Sequence, residues 1–143
     1  MNKKGFTLIE LLIVVAIIGL LSTLAVVALG SARVKARDSK RLADLKQLQT
    51  ALELFYTDNN EYPTGSGVLL GSTAAACLNS TVGWATTGCD NPYMGLVPVD
   101  PKDGNYTYTA ASSSSSYTIT ATLEGNVNGL QDGVTLSPAG IAD

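Results

Sequence analysis

Residues 11–32 carry no charged side chain. Within them, residues 11–29 are Leu, Ile, Val and Ala throughout, broken only by Gly19, Ser22 and Thr23. At 1.5 Å per residue, nineteen helical residues reach about 28 Å, the hydrocarbon thickness of a bilayer. A helix is the open-ended structure that satisfies its own backbone in lipid, so the run predicts a membrane-inserted helix. It also accounts for the composition. Apolar residues make up 45% of the 143 and charged residues 15%, against a usual quarter charged, and the surplus is gathered here.

The same composition narrows the chemistry. With no histidine, acid–base work by imidazole, Ser–His or Cys–His nucleophile pairs and His-ligated zinc are all excluded. A formal charge of −3 and a pI near 4.8 argue against nucleic acid as a main partner. Cys77 and Cys89 are too few for a zinc site and enough for one disulfide. Their spacing is not that of a C-x-x-C redox pair. Closing a loop of this size is worth about 3 kcal/mol in the chain-entropy model, so the bridge is expected to staple a surface loop containing Trp84.

Three readings of the amino terminus fit the apolar run. A secretory signal peptide would use Lys3 and Lys4 as its basic region and be cut near Gly30 or Ala32, but its apolar region would exceed the usual length. A plain membrane anchor is the second. The third turns on Glu10, a carboxylate at the apolar edge, costly by roughly 2.5–3.5 kcal/mol at a bilayer centre and less near the surface. Cleavage after Gly5 would create an α-amino group at Phe6, one helical turn from Glu10, able to neutralise it within the chain or between packed neighbours. Without that cleavage, Glu10 simply rests among lipid headgroups.

Lys3-Lys4-Gly5, Phe6-Thr-Leu-Ile-Glu10 and the apolar run that follows resemble the class III leader of bacterial type IV pilins and type II secretion pseudopilins. The resemblance implies a leader over residues 1–5, cleavage between Gly5 and Phe6 by a prepilin peptidase, N-methylation of Phe6 and Glu10 as the assembly carboxylate. It implies an α+β, type IV pilin-like fold, in which a long N-terminal helix lies on a small antiparallel sheet. The protein would be a structural filament subunit and not an enzyme. Its partners would be lipid before assembly, an inner-membrane assembly platform and other pilin subunits in a homo-polymer. Its place would be the cytoplasmic membrane as a single-pass precursor, then a cell-surface or periplasmic filament. The alternative function is a tethered or secreted binding domain that never polymerises. Val27 stands where many family members have a helix-loosening proline, leaving Gly19 and Gly30 as weak points. Five cations, Arg33, Lys35, Arg37, Lys40 and Arg41, follow the run. Taken alone, the positive-inside rule would hold that side in the cytoplasm, whereas the resemblance places the leader there.

The helical pattern continues past residue 32. Residues 33–57 lack proline and glycine, and Leu42, Leu45, Leu48, Leu52 and Phe55 form one apolar stripe on a 3.6-residue period. Lys40, Asp44, Gln47 and Thr50 are expected on the opposite, wet face. A helix over 6–57 would be about 78 Å long, with residues 6–32 as its membrane or filament-core part. Asp58, Asn59, Asn60 and Pro63 end it. The basic cluster reads either as a solvated collar at the headgroups or as a partner for acidic groups on neighbouring subunits.

Residues 58–104 read as irregular, with a short helix within 68–78. The stretch from Leu96 to Tyr108, with Pro98, Asp100 and Pro101, again resembles major pseudopilins, where such a turn leads into the first strand. Residues 105–143 read as antiparallel sheet: 106–110 and 117–123 as a hairpin joined by serines 112–116, with a further strand over 134–136. Tyr117, Ile119, Ala121 and Leu123 alternate with threonines, the period of a half-buried strand. Its apolar face is the natural cover for the helix stripe. Glu124, Asn126, Asn128 and Asp132 faintly echo a calcium loop. Thr135 occupies the place of the bidentate carboxylate, and the acidic pattern of secretion-type major pseudopilins, which bind calcium in a late loop, is not reproduced. The primary expectation is no cofactor. Asn79 and Asn105 open N-x-Thr glycosylation sequons.

Overall fold

The computed structural model describes residues 5–86, 88–102 and 104–143. Lys3 and Lys4, the basic part of the expected leader, lie outside them. The chain divides into two compact units, Met1–Val34 and Lys35–Asp143.

One helix, α1 (Leu8–Asn59), contributes to both units. It begins two residues later than the expected helix over 6–57, because Thr7 caps it, and ends two residues later. The Thr7 N–H and hydroxyl both donate to Glu10 Oε2 at 2.8 Å, and the Glu10 N–H donates to Thr7 Oγ1 at 3.3 Å. This is a reciprocal capping box, which satisfies N–H groups that a first helical turn leaves orphaned. At the other end, Asn60 turns into the left-handed region at φ 58°, and its N–H closes on Tyr56 O at 2.7 Å. Asn tolerates that conformation, so the helix stops there.

In the second unit the buried face of α1 comprises Asp38, Arg41, Asp44, Leu45, Leu48, Ala51, Leu52 and Phe55. The expected apolar stripe is present from Leu45 onward. Leu42, however, is only half-buried, and the stripe continues backward through charged residues. Asp44 is correspondingly not on the wet face: it is buried, accepting from the Tyr106 hydroxyl at 2.9 Å and pairing with Lys40 at 2.7 Å.

That face is covered by an antiparallel five-stranded sheet in the order β1-β5-β6-β7-β8, with β1 (Val68–Leu69), β5 (Thr107–Ala110), β6 (Tyr117–Thr122), β7 (Gly133–Ser137) and β8 (Gly140–Ala142). In β6, Tyr117, Ile119 and Ala121 point inward and the three threonines outward, as the alternation predicts. The hairpin register pairs Tyr108 with Ile119 and Thr107 with Thr120. Leu45, Leu48, Leu52 and Phe55 share one core with Tyr106, Tyr108, Tyr117, Ile119, Val134 and Leu136. Each such side chain is worth about 1.5–3 kcal/mol on burial.

Residues 58–104 correct the irregular reading. They hold β1, a 3-10 turn (Thr73–Ala75) and a second antiparallel sheet in the order β3-β2-β4, with β2 (Cys77–Asn79), β3 (Gly83–Ala85) and β4 (Pro92–Met94). The short helix expected within 68–78 is this single 3-10 turn, and it does not extend back over 68–72. Gly71 bounds it, sitting at φ 77° where a Cβ would come within 2.3 Å of Val99 Cγ1 and 3.0 Å of Pro98 O, a close approach that only glycine allows. Cys77 and Cys89 are disulfide-bonded, and the Trp84 ring packs edge-on against Tyr108, with centroids 5.0 Å apart.

Two core tyrosines make a paired test of how polar groups are managed here. The Tyr106 hydroxyl donates to buried Asp44, whereas the Tyr117 hydroxyl is buried with no hydrogen-bond partner among the described residues. Hydrogen bonds to charged groups contribute about 1.5–3 kcal/mol, and burying an unsatisfied group carries a desolvation cost. Urea unfolding should therefore show Tyr106→Phe losing about 1.5–3 kcal/mol, with Tyr117→Phe neutral or stabilised. The reverse ranking would disprove this account of the core.

Candidate functional site

Two features outside the core have functional geometry. The first is the opening of α1. Every large apolar side chain from Phe6 to Leu29 is exposed, from 84% at Phe6 to 46% at Val14. The helix runs unbroken through Gly19 and Gly30. It is long and apolar enough to cross a membrane. Water does not tolerate so large a contiguous apolar surface on a folded protein, so lipid or other protein must cover it. Glu10 stands at its start, held by Thr7 through one carboxylate oxygen. The T-x-x-E spacing of Thr7 and Glu10 is the sequence signal for this cap, separate from the charge that Glu10 carries.

The second feature is an ion cluster in the Lys35–Asp143 unit. Arg37 forks onto Glu124, Nε to Oε1 at 2.6 Å and Nη2 to Oε2 at 2.7 Å. Arg41 forks onto Asp100, Nε to Oδ2 at 2.6 Å and Nη2 to Oδ1 at 2.8 Å, while its Nη1 reaches Asp38 at 2.6 Å and Glu124 at 2.9 Å. Lys102 adds a contact to Glu124 at 3.1 Å. Asp38, wholly buried, accepts from the backbone N–H groups of Glu124 and Gly125 at 2.9–3.2 Å. The cluster thus ties α1 to two loops, one containing Asp100 and one opening at Glu124. Bidentate forks of this kind are the strong form of ion pair.

Electrostatics follow from the geometry. The Arg37 fork, helped by Arg41 and Lys102, holds the Glu124 carboxyl far below the usual carboxylate range. Asp100 first, then Glu124 and Asp38, push the Arg41 guanidinium still higher against the opposing effect of burial. Neither reading of the basic cluster therefore describes Arg37 or Arg41, whose partners lie within the chain. Arg33 and Lys35 are exposed. Apolar residues alone do not outline this part of the buried face, which is charged. Asp38 and Arg41, oppositely charged and in phase with Leu45 and Leu48, were the available signal.

The candidate calcium residues do not fit that metal. Both Glu124 oxygens face protein cations, and Asn126 Oδ1 accepts the Gly129 N–H at 3.2 Å. Asn128 and Asp132 occupy left-handed turn positions, at φ 55° and 56°. Among the described residues, no three His, Cys, Asp or Glu side chains stand ready to hold an ion. The sequon asparagines have structural work: Asn79 Oδ1 accepts the Thr81 N–H at 2.7 Å, and Asn105 Nδ2 donates to Leu70 O at 2.7 Å.

Comparison with known proteins places both features in a family. Residues 1–30 match the family model described as the prokaryotic N-terminal methylation motif. The type II secretion system core protein G of Aeromonas hydrophila is 38% identical over 108 residues, covering 73% of this chain and 71% of that protein. Its counterpart in Escherichia coli K12 is 29% identical over 134 residues, covering 94% and 90%. A type IV wide pilus major component of Thermus thermophilus is 42% identical over 69 residues, covering 48% and 53%. No solved structure matches. Residues 28–134, which hold the helix stripe, the three-stranded sheet, strands β1, β5 and β6 and the ion cluster, match the model for type II secretion system protein G, and the chain belongs to that family.

Proposed function

We propose that this chain is a structural subunit of a helical filament, made as a membrane-anchored precursor. The single observation that carries the reading is the contrast between the two units. One unit is a finished head with a closed core, while the other is dominated by the charge-free helix segment 11–32, whose large apolar side chains all remain exposed. Relatives named as secretion core protein G and as a pilus major component support a filament role. In the precursor, lipid covers residues 11–29. In the filament, the helices of neighbouring subunits do so, and assembly exchanges one apolar environment for another without exposing the segment to water. A head-to-tail contact that does not close into a ring propagates as an open filament.

The finer steps belong to the same proposal. A prepilin peptidase cuts between Gly5 and Phe6, Phe6 is N-methylated, an inner-membrane platform lifts subunits from the bilayer, and Glu10 meets the Phe6 amine of a neighbour. The test is mass spectrometry of the mature amino terminus. The expected result is a methylated Phe6. A terminus at Ser31 or Arg33 means an ordinary signal peptide, an intact Met1 means a plain anchor, and either outcome defeats the reading.

A further inference from the structure

The Arg41 guanidinium is surrounded by three carboxylates from three separate segments: Asp38 on α1, Asp100 in the loop before β5 and Glu124 in the loop after β6. All lie 2.6–2.9 Å from its nitrogens, and Arg41 retains only 4% of its side-chain exposure. A hard divalent cation is likewise held by converging carboxylate oxygens, with further oxygens completing six to eight ligands. Here the centre is a side chain.

We propose that Arg41 is a tethered cation that takes the place of a bound metal at this end of the head, so that the loop opening at Glu124 is pinned without calcium. The proposal is independent of the filament reading, since it concerns the head alone. The donor chemistry supports it. Glu124 is saturated by Arg37, Arg41 and Lys102, and a metal competing for it would have to displace three cations. Asp38 is occupied by two backbone N–H donors as well as Arg41. A planar guanidinium can serve two carboxylates at one edge and a third along its fork, which a lysine ammonium cannot do in the same way.

The test follows thermal unfolding of the full-length protein in detergent micelles, read by fluorescence of its single tryptophan, Trp84. Calcium is used at about 5 mM, above the roughly 10⁻⁴–10⁻³ M range of extracellular calcium modules, and EGTA replaces it in the control. The wild-type midpoint should agree within about 1 °C between the two conditions. Arg41→Ala vacates the centre of the cage and leaves its carboxylates to a divalent ion with its remaining waters. Its midpoint should fall in EGTA and rise by about 5 °C or more in calcium. Arg37→Ala, which keeps Arg41 in the cage, should be lowered and indifferent to calcium. Should Arg41→Ala show no transition in EGTA, recovery of one in calcium supports the proposal. A calcium-dependent rise in wild type or in Arg37→Ala overturns it, as does an Arg41→Ala protein that calcium does not stabilise.

Discussion

Glu10→Gln should leave the precursor inserted, stable and trimmed, while filament yield falls about tenfold or more, each 1.4 kcal/mol per subunit contact being a factor of ten. The choice of glutamine matters because Glu10 has two roles that alanine would remove together. It closes a capping box with Thr7, and it supplies a negative charge at the edge of an uncharged helix segment. A capping box accepts glutamine as well as glutamate, so Glu10→Gln keeps the cap and discards the charge. Glu10→Ala discards both, and should assemble no better. If charge pairing with a neighbour's amine sets the axial register, both variants lose filaments. If capping is the whole role, Glu10→Gln filaments appear in normal number and only Glu10→Ala fails. Quantitative electron microscopy of appendages, with immunoblots for the trimmed subunit, separates these outcomes. Loss of the trimmed form in either variant would move the defect to processing and remove the pairing argument.

The two halves of the chain were unequally legible, for physical reasons. Where one period dominates, sequence suffices: the run 11–29, the repeat of Leu45, Leu48, Leu52 and Phe55, and the β6 alternation each announce an element and the face it buries. The second sheet is different. Its strands have three residues each, too short for any period to accumulate. They are held by the disulfide and by packing of Trp84 and Met94 on the common core. Strand β8 is Gly-Ile-Ala, which owes its conformation to pairing with β7 rather than to propensity. The ion cluster was hidden because burial of charge is rare unless paired, and its pairs span more than eighty residues between Arg37 and Glu124. Asp100 stood inside a segment recognised by resemblance, yet what it holds, Arg41, is visible only once the loop is folded back on α1.

Arg41→Met is the substitution expected to cost the head most. Methionine keeps much of the bulk and the unbranched stem, so packing changes little and the cage is filled with an apolar group instead of a cation. It leaves the buried Asp38 carboxylate to backbone N–H donors and removes a shared guanidinium from Asp100 and Glu124. Breaking a buried pair by removing one partner costs about 3–5 kcal/mol. At roughly 4 °C per kcal/mol for a domain of this size, the midpoint should drop by roughly 12–20 °C at neutral pH. Acid supplies the control. In wild type the folded Glu124 pKa is depressed, chiefly by Arg37. Its contribution is therefore fully present above the unfolded carboxylate pKa of about 4.3 and is lost as pH falls below it toward the folded value. In Arg41→Met the Glu124 carboxylate faces the other acidic groups of the cluster without that cation, which raises its affinity for protons, so acid relieves the variant over an interval in which the wild type keeps the Glu124 contribution. The gap between the two should narrow from pH about 7 to pH about 4, through the range where carboxylates titrate. Melting curves that remain parallel across that interval would mean that Arg41 stabilises the head through packing, and the electrostatic account of the cluster would fail.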